Sequence, residues 1–287
     1  MDIKKYRVTE KRDINLADFD TRHTDCFSSS SEVKSIVEQN IVEISELQSK
    51  LYAEGKTGVL IIFQAMDAAG KDSAIKHVMS GINPQGVNVH SFKQPSSKEL
   101  AHDYLWRAVK ALPERGKIAI FNRSYYEDVL VVKVHKLYEK LNVPDRCKSE
   151  DTIKKRYKQI KNFEKYLWEN GIITLKFFLH LSKDEQRKRF LERIDNKDKN
   201  WKFSDSDIKE RKHWNDYQEA YESAIKATAT EKCPWYIVPA DKKWFSRAII
   251  SNILLDVMKE INPKYPKVTS AHGLVLKESR AKLTEGE

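Results

Sequence analysis

Cysteine is scarce in this chain. The three present, Cys26, Cys147 and Cys233, are far apart and odd in number, which argues against a disulfide framework and against a CxxC metal site. No apolar run reaches the ~18 residues that a membrane span requires, and the opening MDIKKYRVTEKRD does not read as a signal peptide. No internal repeat is evident. These absences predict a soluble protein of a reducing cytoplasm with no membrane partner. What is present is enough for a sizeable core: hydrophobic residues make up 40% of the 287 and aromatics 10%, which excludes disorder over most of the chain. Lysine and arginine number 52 against 42 acidic residues, a formal charge of +10. That surplus favours a polyanionic partner but does not choose among nucleic acid, acidic lipid and chains of phosphate.

The first thirty residues are polar and aperiodic. Val33, Ile36, Val37, Ile41, Ile44, Leu47 and Leu51 then recur at three and four, an amphipathic helix with Ser29 and Glu32 placed as a capping box. Five short apolar runs read as strands: Gly58–Gln64, Val87–Phe92, Lys117–Phe121, Ile172–Leu181 and Trp235–Ala240. Helical patterns separate them, at 71–80, 99–111, from 124 onward, at 151–168 and at 243–260. The alternation predicts an α/β fold, a five-stranded parallel sheet with helices on both faces. Residues 184–230 are charged, helical and free of glycine and proline, too long for one crossover helix, so an inserted lid is expected there. The expected organisation is an N-terminal segment over 1–57, a catalytic domain over 58–262 and a polar tail over 263–287.

Between the first strand and its helix lies Ala65-Met66-Asp67-Ala68-Ala69-Gly70-Lys71-Asp72-Ser73. A phosphate-binding P-loop reads G-x-x-x-x-G-K-[ST]; here Ala65 replaces the first glycine and Asp72 the hydroxyl residue. Context favours the motif nonetheless: a buried strand, a turn with Gly70, and a helix whose first amides would face an anion. Lys71 adds a positive charge over the phosphates. The alternative is an ordinary strand-to-helix turn with a surface lysine. Asp67, inside the loop, is a hard oxygen donor suited to magnesium, since a carboxylate among phosphate-binding amides needs a cation between it and the substrate.

Asn122, Arg123 and Ser124 follow the third strand at its carboxyl end, the edge where open α/β sheets bind ligands. Asn122 stands where a Walker B strand ends in Asp. Arg123 suits a clamp on phosphate oxygens, and Glu127 or Asp128 lies within one turn of the next helix. An N-cap at Asn122 or Ser124 is the plainer explanation of the polar pair, but it leaves Arg123 unexplained.

In order along the chain, MDAAGKDS, NPQGVNVHSFKQPSSKE, FNRSYYEDVLVVKVH, KFFLHLSKDEQRKRFLER, WKFSDSD and PWYIVPADKKW resemble the polyphosphate kinase 2 family, over about Gly58 to Leu255. Asn122 and Glu127 resemble its third class, whose members phosphorylate both AMP and ADP; Lys133 stands where such members carry arginine. The resemblance implies a P-loop kinase-like fold with a helical lid, and reversible phosphate transfer from inorganic polyphosphate to AMP and ADP, forming ADP and ATP. Guanine nucleotides are further candidates. It implies magnesium, or manganese, at Asp67 and Asn122, and catalytic roles for Asp67, Lys71, Asn122, Arg123 and Glu127. It implies polyphosphate contacts from Ala68, Ala69, Gly70, Lys71, Asp72, Ser73, Arg123, Arg187 and Arg189, and nucleotide contacts from Glu127, Lys133 and Arg193. Arg189 and Arg193 share a helix face from which Arg187 is displaced, so one or two of these arginines are expected to function rather than all three. A homo-oligomer is expected and nucleic acid is not. Two competing readings are an ATP-dependent kinase of the same fold, which the altered P-loop disfavours, and a nucleic-acid-binding protein stacking bases on Trp106, Trp201 and Trp214. His135 and His180 fall in or near apolar stretches and are expected to be packed rather than to carry phosphate.

Overall fold

A computed structural model describes residues 1–10, 13–149 and 151–285. Its strands are β1 (Arg7–Val8), β2 (Gly58–Ala65), β3 (Val87–Ser91), β4 (Ile118–Asn122), β5 (Ile172–His180) and β6 (Trp235–Pro239). The helices are α1 (Ser30–Glu54), α2 (Lys71–Val78), α3 (Ser97–Leu100), α4 (Trp106–Val109), α5 (Val131–Val134), α6 (Thr152–Glu169), α7 (Lys183–Asp195), α8 (Asp205–Lys212), α9 (Trp214–Thr228), α10 (Lys243–Ile261) and α11 (Ser270–Glu285).

One sheet runs in the order β1-β6-β5-β2-β4-β3. It has six strands, not the five expected. The sixth is β1, which pairs antiparallel to β6 through Arg7 with Tyr236 and Val8 with Trp235. Two residues are too few to show an alternating pattern, so a polar N-terminus concealed it. The other five strands are parallel.

Central strand β2 is buried along its whole length, and its side chains alternate between two cores. Val59, Ile61 and Phe63 pack with Ile44 and Leu51 of α1, Ile75 of α2 and Ile249 of α10. Leu60 and Ile62 pack on the opposite face with Ile160 of α6 and Tyr221 and Ile225 of α9. Helices therefore cover both faces, which is why the strand sequence is continuously apolar. Each such side chain, fully buried, contributes about 1.5–3 kcal/mol.

Three local expectations change. The pattern at 99–111 is two four-residue helices, α3 and α4. A capping box of Ser96 and Glu99 starts the first, and the Asp103 side chain and carbonyl, accepting from the amides of Leu105 and Trp106, start the second. After Ser124 the chain makes a 3-10 turn, Tyr125–Asp128, before the short α5. At α1 the Ser29 hydroxyl donates to Glu32 Oε1 instead of capping an amide, while Glu32 Oε2 accepts from the Ser28 amide.

Parallel strands bring their carboxyl ends to one edge. The chain leaves β2 toward β3 on one side and leaves β5 toward β6 on the other. This places a topological switch point between β2 and β5, where such sheets open a crevice. Among the described residues no helix is long and apolar enough to cross a membrane.

Candidate active site

The loop after β2 needs positive φ at Ala68 (+63°) and Gly70 (+102°), not at Ala65. Ala65 is still in the strand, so the absent first glycine has no conformational consequence here. Ala68 is strained, at a cost on the order of 1–3 kcal/mol. Gly70 is the N-cap of α2. Lys71 follows and curls back, its ammonium donating to the Ala65 carbonyl at 3.1 Å. Burial, and then the nearby Arg123 charge, lower the Lys71 pKa to about 8; Asp67, Glu127 and Asp72 oppose the shift.

Three consecutive loop carbonyls are held from behind by α7. Gln186 Nε2 donates to Asp67 O at 2.9 Å, and Arg189 Nη1 to Ala68 O and Ala69 O at 3.0 and 2.9 Å. Arg189 Nη2 reaches Ala240 O and Asp241 O at 2.7 and 3.1 Å, and its Nε reaches Glu185 Oε1 at 2.9 Å. A guanidinium has five N–H donors, and these contacts use all of them. Arg189 is buried. It stitches the loop to the end of β6, while the Ala69 amide donates to Met66 O at 3.3 Å.

The end of β4 completes the crevice. Arg123 also has positive φ (+63°), and its amide donates to Phe63 O of β2 at 3.0 Å. Its guanidinium lies 2.6 Å from Asp67 Oδ1 and 3.5 Å from Glu127 Oε2. Glu127 and then Asp67 hold that charge, raising the Arg123 pKa. Buried Gln64 supports the pair: its amide nitrogen faces Glu127 Oε1 at 3.0 Å and its oxygen accepts from Ser124 Oγ and N at 3.1 and 3.2 Å. Asn122 Nδ2 donates to Asp72 Oδ1 at 2.6 Å. Ser73 accepts from Arg247 Nη2 at 2.6 Å, which ties α2 to α10.

The resulting crevice, about 500 Å³, is lined by the 67–73 loop, by Asn122 and Arg123, and by basic side chains from three further segments. Its cations are Lys71, Lys93, Arg123, Arg189, Arg193, Lys199, Lys202 and Lys243; its acids are Asp67, Asp72, Glu192 and Asp207. Eight against four makes it an anion site. Arg193 pairs with Asp207 at 3.4 Å, linking α7 to α8, and Lys199 pairs with Glu192.

Other expected residues lie elsewhere. Arg187 is exposed on the far side of α7, in a cavity of about 1160 Å³ shared with Lys188, Lys242 and several acids. Lys133 donates to Glu219 Oε1 and Ser223 Oγ at 3.0 and 3.3 Å, outside the crevice lining. His135 bonds Glu210 at 2.9 Å and His180 is buried, so neither lines the crevice. Trp214 is buried. Trp106 stacks on His102 at 3.9 Å, while Trp201 is 77% exposed. Sequence reasoning missed Gln186, Lys93 and Lys243. Lys93 stands just past the carboxyl end of β3 and Lys243 just past that of β6, the position that singled out Arg123; Gln186 had no such signal.

The sequence model described as polyphosphate kinase 2 matches residues 28–266. An ADP-polyphosphate phosphotransferase of Rhodopseudomonas palustris is 47% identical over 98% of each chain. An AMP/ADP-polyphosphate phosphotransferase of Meiothermus ruber is 44% identical over 94% of this chain and 97% of its own. The crystal structure of polyphosphate kinase 2 from Arthrobacter aurescens superimposes with a TM-score of 0.87 at 36% identity, covering 96% of each chain. With a family match over residues 28–266 and relatives 47% and 44% identical over nearly the whole of both chains, the chain belongs to the polyphosphate kinase 2 family.

Proposed function

We propose that this protein transfers the terminal phosphate of inorganic polyphosphate to AMP and ADP, reversibly and in line, in the crevice beside Gly70. The observation that carries the reading is the twofold excess of cations around a P-loop whose carbonyls are tied away from the ligand. The two full-length relatives described above bear polyphosphate phosphotransferase names. In this reading residues 58–262 form a P-loop kinase-like catalytic domain; of the lid expected over 184–230, α7 and the exposed α8 remain candidates, while α9 packs in the core beside β2.

Polyphosphate lies along the N-terminus of α2 at Gly70 and Lys71 and the basic track of Arg193, Lys199 and Lys202. Lys71 and Arg123 neutralise the phosphoryl group in flight. An acceptor phosphate is already ionised at neutral pH, so no strong base is required, and catalysis is mainly positioning and charge neutralisation. Asp67 and Glu127 aim the Arg123 guanidinium before substrate arrives.

The donor set fits magnesium. Asp67 and Asn122 offer hard oxygens at the crevice, and magnesium characteristically takes one or two carboxylates with waters and phosphate oxygens. Bound there, the ion supplies additional neutralisation of phosphate charge.

The test is to mix the purified protein with AMP, long polyphosphate and magnesium and to measure nucleotides. ADP and then ATP should form. Phosphorylation only when ATP replaces polyphosphate as donor would overturn the reading.

A further inference from the structure

In the core on the α6 face lies a fully buried ion pair. Lys176 of β5 and Glu164 of α6 are 0% and 1% exposed, with Nζ 2.5 Å from Oε2. Glu164 Oε1 accepts from the hydroxyls of Tyr125 and Tyr126 at 2.9 and 2.8 Å. Lys176 donates onward to Thr228 O at 2.9 Å and to the Tyr126 hydroxyl oxygen at 3.3 Å. All three ammonium protons thus have acceptors. The network is complete, and water is shut out.

Stability does not account for it. Burying two charges carries a desolvation penalty that their attraction seldom exceeds, and apolar replacements of similar volume are commonly as stable. What the charges do is fix two hydroxyls, and both belong to the turn that carries the site. Tyr125 and Tyr126 sit between Arg123 and Glu127. The Tyr126 amide bonds Ser124 Oγ at 3.1 Å, directly beside the strained backbone of Arg123. A non-glycine residue persists at positive φ only where its surroundings over-determine it.

We propose that Glu164 and Lys176 are positioning residues for phosphoryl transfer: by clamping the hydroxyls of Tyr125 and Tyr126 they hold Arg123 in its strained backbone and aim its guanidinium at the transferring phosphate. This rests on the transfer reading above. Two variants test it in the full-length protein. Tyr125→Phe/Tyr126→Phe removes only the hydroxyls; Glu164→Leu/Lys176→Met removes both charges together and leaves none unpaired. Each leaves buried polar atoms unpaired, Glu164 Oε1 in the first and the Tyr125 hydroxyl and Thr228 O in the second, so Tm falls. Each should still be folded at the assay temperature while kcat falls about tenfold to hundredfold with KM for polyphosphate and nucleotide little changed. In an Arg123→Ala background the tyrosine change should add less than about a twofold further loss, because the network acts through Arg123. Losses that multiply in that background, or a folded variant with wild-type kcat, would overturn the proposal. Backbone hydrogen exchange over 122–128 should quicken in both variants. That readout needs no turnover: if the wild-type protein moves no phosphate from polyphosphate the transfer reading fails, and unchanged exchange then refutes the clamp separately.

Discussion

Arg123 Nη2 lies 2.6 Å from Asp67 Oδ1, a contact that joins the loop after β2 to the end of β4 across the crevice. One residue reads as a metal ligand in isolation and the other as a phosphate clamp. Together they hold opposite charges at the spot where phosphate charge must be balanced.

Arg123→Ala should therefore lower kcat by about 10²–10³, the usual loss for one transition-state donor, some 2.7–4 kcal/mol. Arg123→Lys keeps the charge but lacks the planar fork that spans Asp67 and Glu127, and it should recover only part of the rate. Steady-state kinetics with polyphosphate and ADP check this. A kcat within about threefold of wild type for Arg123→Ala would remove Arg123 from the mechanism.

Lys71 is held at a pKa of about 8 chiefly by burial. The ammonium is the useful form, so kcat/KM should fall as pH rises through about 8 in the free enzyme, and not on the acid side. Lys71→Arg should move that limb upward or abolish it, because guanidinium does not titrate in this range. An unshifted alkaline limb in Lys71→Arg would assign the titration to another group.

Arg189→Ala leaves four backbone carbonyls, three of them buried, and Glu185 without their donor. Loss of such a buried charge network costs about 3–5 kcal/mol, read as a lower urea midpoint, with kcat lost as the loop relaxes. Gln186→Ala removes the hydrogen bond to Asp67 O and the one its Oε1 accepts from Arg211 Nη1 at 2.8 Å, and should cost about 2 kcal/mol at roughly 1 for each. Exposed Arg187→Ala should stay within about 0.5 kcal/mol of wild type. Equal effects at 187 and 189 would contradict this division.

Ala68→Gly should stabilise the protein by about 0.5–1 kcal/mol, since relief of left-handed strain outweighs the extra entropy of an unfolded glycine. Gly70→Ala imposes strain at φ +102° and should destabilise. Urea denaturation of the two variants should give opposite signs; the same sign would show that Ala68 is not strained.

The central strand β2 was legible because a strand covered on both faces must be apolar throughout, as Val59 to Phe63 are. The site edge was legible for a related reason: Arg123 follows the carboxyl end of such a strand. Helical spacing separated Arg187 from Arg189 and Arg193, and the structure sets them in different cavities. It could not tell that Arg189 turns toward loop carbonyls while Arg193 lines open crevice, because that depends on how α7 docks. Gln186 was invisible for the same reason: a polar residue in a charged helix acquires meaning only from Asp67 O, 119 positions away. The strand Arg7–Val8 exists only because β6 offers an edge to pair with.

The most direct measurement is a crystal structure of the full chain soaked with linear polyphosphate. The account predicts ordered phosphates running from the N-terminus of α2 at Gly70 past Lys71 toward Arg193 and Lys199. Polymer ordered instead against Arg187 and Lys188, with the space beside Gly70 bare, would contradict it.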